Sequence, residues 1–321
     1  MRPGNQKRML TFFRRLTVLL IALAILPSLA RAWGCSGHHI IALIAERHLN
    51  PRAMAATQEL LKAVPVAPDL ARFCKDSQAD PFVSAATWAD DVKKLEGTGN
   101  WHYIDIPRGE SSPSLESYCE PVGPLENGTR RGCIISAIRD QRAVLGNGTP
   151  VERARALRYV IHLIGDLHQP LHVSNNGDRG GNCVPLHFAK DSEVANLHSL
   201  WDSGILDSAL AARHLTEEDF AEQMDRRYRE KFAEWTKSQS VERWALEVHE
   251  VGVQIAYGKL QPAVPVEPAN VIADCTAESA KIRALNISIG DDYERSAMEA
   301  IEPLLVRAGY RLAGILNQVW P

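Results

Sequence analysis

The sequence predicts an all-α protein, a single compact multi-helix domain, on three observations. Apolar residues recur at three- and four-residue spacing along most of the chain, and alternating strand-like runs are scarce. Several helix starts carry their own punctuation, a capping residue followed by proline at the first helical position. No internal repeat and no long linker divides the chain beyond residue 32, and a stretch of that length can bury a substantial core.

In chain order, residues 1–32 read as an export signal. Arg2, Lys7, Arg8, Arg14 and Arg15 precede a charge-free apolar run from Leu16 to Ala30, and Ala30-Arg31-Ala32 supplies small residues for cleavage. Processing there makes Trp33 the first residue of a secreted or periplasmic protein whose domain is 33–321. The apolar run is short and broken by Pro27, and no later stretch approaches the roughly 20 apolar residues that a bilayer demands, so no stable membrane association is expected. The first helix is expected over Gly37–His48, and Asn50-Pro51 opens the second. Another covers Cys133–Leu145. Thr149-Pro150-Val151-Glu152 then places a cap, a proline and a capping-box Glu ahead of a helix that runs to about His168, where Gln169-Pro170 stops it. Glu217–Phe232, Val241–Tyr257 and Tyr293–Val319 complete the helices, and loops take most of 107–132, 174–183 and 261–270.

Without the signal's six basic residues the chain carries 30 Lys and Arg against 39 Asp and Glu. That balance excludes a broad basic surface as the means of gripping nucleic acid. If the protein handles phosphates, positive charge must be local, and bound metal is the obvious source. Six cysteines in an exported chain point to disulfides, with fifteen connectivities open. Cys119 and Cys133 bracket a Pro/Gly/Glu-rich loop and make the best pair, their competing partners being Cys35, Cys74, Cys183 and Cys275. No Cys-x-x-Cys occurs, which argues against a thiolate metal site.

The sharpest chemical feature is His162-Leu-Ile-Gly-Asp166 followed by His172. Residues four apart on a helix differ by about 40° and present imidazole and carboxylate side by side. The spacing returns in His198-Ser-Leu-Trp-Asp202. Either pair alone is equally a surface His–Asp contact; two pairs, with His172 beyond a helix break, point to metal. Upstream, Trp88-Ala-Asp90-Asp91 and Trp101-His102-Tyr103-Ile104-Asp105 add carboxylates and an imidazole beside aromatics. A free amino group at Trp33, with a reference pKa near 8, could chelate metal together with its own carbonyl oxygen. His38 lies a turn away and could complete that site, whereas His39 points elsewhere. His168 lies off the His162 face, and His48, His187, His214 and His249 lack a suitably spaced partner; these read as surface residues or as supports for the ligands.

Together these motifs resemble the nuclease family of the S-one/P-one type, the fungal single-strand-specific nucleases and plant bifunctional nucleases, which are three-zinc enzymes. The resemblance spans the chain from Trp33 and rests on Trp33-Gly-Cys-Ser-Gly-His38, Trp88-Ala-Asp90, Trp101-His-Tyr-Ile-Asp105, His162 to His172, Gly180-Gly-Asn182 and Asn196-Leu-His198-Ser-Leu-Trp-Asp202. It implies a helical fold with a three-zinc cleft. Asp90, His102, His162 and Asp166 would hold one zinc; Trp33 and His38 a second, bridged by Asp166; His172, His198 and Asp202 the third. Two metals sharing a hydroxide would aim it at phosphorus, and the third would stabilise the departing 3′-oxygen. The resemblance thereby implies cleavage of single-stranded DNA and RNA to 5′-phosphorylated products and release of phosphate from 3′-nucleotides, with no protein partner. Asp90, Asp166 and Lys93 would be the catalytic residues. The family carries Arg where this chain has Lys93, which keeps the charge for a phosphate but loses the bidentate fork. Tyr103 would stack on a base, Asp105 would accept its hydrogen bonds, and Asn182 would also contact substrate.

The nearest rival is a zinc phospholipase C, which shares the three-zinc plan but ends its ligand set with His-x-x-x-Glu. Asp202 and the Trp-His-Tyr-Ile-Asp run favour the nuclease. A secreted zinc-binding protein without turnover is the reading from another class.

Overall fold

Asn50 accepts hydrogen bonds from the backbone N–H groups of Arg52 (2.9 Å) and Ala53 (2.8 Å), and with Pro51 at the first helical position it starts a helix where the sequence marks one. Thr149 and Glu152 form the expected reciprocal capping box ahead of Pro150. The computed structural model describes residues 33–74, 80–238, 240–267 and 275–321. The expected export signal, 1–32, and the end of the 261–270 loop lie outside the described residues.

In chain order the helices are α1 (Cys35–Glu46), α2 (Pro51–Ala63), α3 (Pro81–Ala85), α4 (Trp88–Glu96), α5 (Ile134–Asn147), α6 (Pro150–Leu167), α7 (Ile205–Arg213), α8 (Glu217–Tyr228), α9 (Val241–Val251), α10 (Cys275–Arg283) and α11 (Asp291–Val319). The described residues form one compact, all-α unit. Among the described residues, strand is confined to two-residue pairs. Leu125–Glu126 pairs antiparallel with Thr129–Arg130 across Asn127-Gly128, both at positive φ as such a hairpin turn requires. His187–Phe188 pairs parallel with Ser288–Ile289.

Several boundaries differ from the sequence expectation for physical reasons. The 217–232 helix breaks after Tyr228 into a 3₁₀ turn at Arg229–Lys231 before Phe232–Thr236 resumes. The 241–257 helix widens into a π turn over Gly252–Tyr257. Gly252 lies against the 172–176 loop so closely that a Cβ there would meet Ser174 Oγ at 2.2 Å. Helices α3, α4, α7 and α10 were not expected. Thr87 makes no side-chain cap for α4, and α7 continues from a preceding π turn without a cap, so neither start is punctuated.

Helices α1, α6 and α11 form the centre of the core. Gly309 of α11 sits where a Cβ would meet Ile44 at 2.6 Å and the carbonyl oxygen of Ile41 at 3.0 Å, so the α1 and α11 backbones approach too closely for a side chain. Gly309→Val is expected to destabilise the fold by about 1–3 kcal/mol through overpacking, read as a lower urea midpoint. A midpoint equal to that of the parent protein would show that the contact yields freely.

Cys119–Cys133 forms the bond expected from the sequence, and Cys35–Cys74 and Cys183–Cys275 complete the set. Among the described residues, no helix is long and apolar enough to cross a membrane.

Candidate metal centre

Helix α6 carries His162 and Asp166 one turn apart, both fully buried, with His162 Nε2 3.0 Å from Asp166 Oδ2. Asp166 is the hub of the site. Its Oδ2 also faces His102 Nδ1 at 2.9 Å, while its Oδ1 faces His38 Nε2 at 3.2 Å. His38 reaches across from α1 and stacks on the His162 ring with centroids 4.1 Å apart. That approach depends on Gly165, where a Cβ would stand 2.8 Å from His38 Nδ1. Asp90, from the first turn of α4, brings Oδ1 to 3.7 Å from His102 and 3.9 Å from His162.

A second cluster adjoins the first. His172 follows the Gln169-Pro170 break, and His198 Nε2 lies 3.3 Å from Asp202 Oδ2. Asp202 sits in a π turn, Leu200–Gly204, which keeps the four-residue pairing although the expected α geometry widens there. Residues 33–34 rest on this turn: Gly34 N donates to the carbonyl oxygen of Asp202 at 2.6 Å, and the buried Trp33 indole packs on Gly37.

Backbone carbonyls set which imidazole nitrogen faces inward. Nδ1 of His162 donates to Ala86 O (2.7 Å), Nδ1 of His172 to His102 O (2.7 Å) and Nδ1 of His198 to Gly180 O (2.6 Å), so each turns Nε2 inward. Gly180 can occupy its position only as glycine, with φ +60° and a Cβ that would fall 2.3 Å from Leu171 O. Gln169 donates to Asp202 Oδ1 and orients it.

Three groups result whose ligand atoms lie within 4.8 Å of one another: Asp90, His102 and His162; His38, His162 and Asp166; His172, His198 and Asp202. The residues fit metal by an independent criterion. His38 Nε2, Asp166 Oδ1, His172 Nε2 and Asp202 Oδ2 are buried without a hydrogen-bond partner. Each such atom costs about 1–3 kcal/mol unless something satisfies it, and here they converge. Burial pushes His38 down to about 4 and His198 to about 3, with neighbouring His162 and His172 adding to the effect, so both are neutral donors. Burial works the same way on His102 and His172. His162 goes the other way: burial opposes its charge, but Asp166 and Asp90 outweigh burial and raise it. Burial, then the Asp166 and Asp90 charges, pushes Asp202 well up. Three carboxylates, Asp90, Asp166 and Asp202, thus share one buried centre, and divalent ions would let all three ionise while taking the place of the His162 proton.

Lys93 places Nζ 2.8 Å from Asp90 Oδ1 and is pulled up by Asp90, Asp166 and Asp202 against the opposing effect of burial. It faces the metal groups from the rim. Tyr103 is 42% exposed rather than packed in the core, Asp105 accepts from Asn175 Nδ2, and Asn182 donates to the carbonyl oxygen of Arg179. Of the remaining histidines, His39 points away to Glu217 and His48 pairs with Asp225. His168 and His249 are buried: His168 bonds Ile164 O and Arg311, and His249 bonds Val173 O and Ser174 on the loop that follows His172. A surface reading fails for both. Gln169, Asn175 and the Gly180 carbonyl also support the site, and the sequence does not single them out for that role. The signal available for Gln169 was its place in the helix-breaking Gln-Pro pair, which reads equally as a stop.

A family model described as S1/P1 nuclease matches residues 33–321. The chain is 28% identical to Endonuclease 2 of Arabidopsis thaliana, covering 99% of this chain and 99% of that protein. It is 26% identical to Nuclease S1 of Aspergillus oryzae over 95% and 98% of the two chains. For Nuclease P1 of Penicillium citrinum the identity is 26%, over 89% and 97%.

Proposed function

The chain belongs to the S1/P1 nuclease family and is a phosphodiesterase of nucleic acid, and from that premise we propose the finer reading: it cleaves single-stranded DNA and RNA to 5′-phosphorylated products and dephosphorylates 3′-nucleotides. The observation that carries this is the convergence of eight His and Asp side chains in three groups, with buried atoms of His38, Asp166, His172 and Asp202 left without a hydrogen-bond partner. We assign Asp90, His102, His162 and Asp166 to one zinc, Trp33, His38 and bridging Asp166 to a second, and His172, His198 and Asp202 to a third. Nitrogen and oxygen donors without thiolate suit zinc. Zinc bound there supplies Lewis acidity, making water acidic near neutral pH and offsetting charge on phosphoryl oxygens.

The chain's own residues do the rest. Lys93, paired with Asp90 at the rim, offers its ammonium to the phosphate. Tyr103 presents an exposed ring on which a base can stack, Asp105 accepts from the base edge, and Asn182 contacts the nucleotide beside it. Residues 1–32 serve as an export signal, and the three disulfides support an oxidising destination outside the cytoplasm.

A base stacked at Tyr103 must leave its helix, which costs a few kcal/mol for an intact duplex and far less for a single strand. Initial rates on one oligonucleotide, alone and annealed to its complement at fixed salt and zinc, should differ by roughly 10²-fold or more. Phosphate release from 3′-AMP should accompany strand cleavage. Equal rates on both strand forms would remove the base pocket from the proposal, and phosphocholine release from lipid without action on 3′-AMP would replace the nuclease by a phospholipase C.

A further inference from the structure

Arg179 has no part in the machinery described so far, yet its surroundings are built. The 174–182 loop is fastened along the 105–108 segment: Asn175 N donates to Ile106 O and Arg108 N to Asn175 O, each at 2.8 Å, and Asn175 Nδ2 donates to Asp105 Oδ1 at 2.9 Å. Its tip is held from inside by Asp178, 1% exposed, whose Oδ1 accepts from Gly181 N and from the Tyr257 hydroxyl, both at 2.8 Å. Between these anchors Arg179 adopts φ +60°, a conformation that costs a long side chain on the order of 1–3 kcal/mol. Gly177, Gly180 and Gly181 around it take such angles freely. A solvated arginine gains nothing from that position.

The side chain is exposed and makes no hydrogen bond or ion pair among the described residues. The Arg179 carbonyl oxygen accepts from Asn182 Nδ2 at 2.8 Å. Through Asn175 the loop is tied to Asp105 itself, and the Arg179 guanidinium opposes the upward push that burial gives both the Tyr103 hydroxyl and the Asp105 carboxyl. In a net acidic chain, an exposed cation on a firmly anchored loop beside the proposed base pocket has one obvious complement, the phosphate of a strand running past it.

We propose that Arg179 is a specificity residue that takes a backbone phosphate adjoining the nucleotide seated at Tyr103, favouring polynucleotides over mononucleotides. This rests on the reading of Tyr103 and Asp105 as the base pocket. Arg179→Ala should raise KM for a single-stranded oligonucleotide about 5–10-fold with little change in kcat, and should reduce the slope of log affinity against log salt by about 0.7, one phosphate contact on a single strand. Arg179→Glu should do more, Arg179→Lys should keep the salt slope, and the loss on 3′-AMP should be smaller than on the oligonucleotide. Binding of the zinc-loaded protein to a phosphorothioate oligonucleotide, followed by fluorescence anisotropy, reads the same contact without turnover. Unchanged oligonucleotide KM and salt slope in both the Ala and Glu variants would overturn the proposal. So would equal losses on both substrates with a lowered melting midpoint, the mark of a structural role, or no binding of the phosphorothioate strand by the parent protein. If the parent binds that strand with the expected salt slope yet cleaves neither substrate, the proposed activity falls and the Arg179 contact stands.

Discussion

Asp166→Asn is expected to strip the protein of more than one metal ion and to lower turnover on 3′-AMP by on the order of 10³-fold or more, about 4 kcal/mol of transition-state stabilisation. The expectation follows from how the carboxylate is used. Oδ2 lies within 3.0 Å of nitrogens from His102 and His162, and Oδ1 lies 3.2 Å from His38, so the two oxygens face two separate ligand groups. An amide has one oxygen and one NH₂ and cannot offer lone pairs both ways. Asp202→Asn should cost less and release a single ion, because Asp202 faces only His172 and His198 among the metal groups. Metal analysis by mass spectrometry beside single-turnover rates checks both variants. Loss of one ion or fewer in Asp166→Asn with activity near that of the parent protein would refute the bridging role.

How far this site was legible in the sequence follows from the range of the interactions that build it. His162 and Asp166 were readable because helical periodicity alone puts them together, and the capping box at Thr149 and Glu152 announces the helix that does so. Cys119–Cys133 was readable because its loop is short, whereas Cys183–Cys275 spans 92 residues and has no local signal. The carbonyls of Ala86, His102 and Gly180 that fix the imidazole tautomers come from other segments, and a carbonyl carries no side-chain identity to read. The same limit hid the π turns: the close neighbour of Gly252 is Ser174, from a loop distant in sequence. Helices α4 and α7 escaped because neither opens with a side-chain cap. The sequence therefore names the His and Asp side chains that gather here, and tertiary contacts decide which atom of each one faces the centre.

The other large effect is expected at Trp33. A protein carrying one additional residue before Trp33 should fold, keep its disulfides and lose the zinc assigned to Trp33 and His38, with a rate loss on the order of 10²-fold or more. An α-amino group with a reference pKa near 8 can shed its proton and donate a lone pair, and acylation by a preceding residue turns that nitrogen into an amide that cannot. The surrounding structure holds residue 33 beside the Asp202 turn and helix α1. Gly34 N is bonded to the Asp202 carbonyl oxygen, the Trp33 indole is buried against Gly37, and Cys35 is tied to Cys74. Signal removal would thus act as a late switch, completing a site that the fold has already assembled. Expression with a single extra Met, followed by aminopeptidase trimming to Trp33, gives matched samples for zinc content and turnover. Trimming should restore both. Full occupancy by three zinc ions and an undiminished rate in the untrimmed protein would mean that the amino nitrogen is not a ligand, and His38 would then rely on Asp166 and His162 alone.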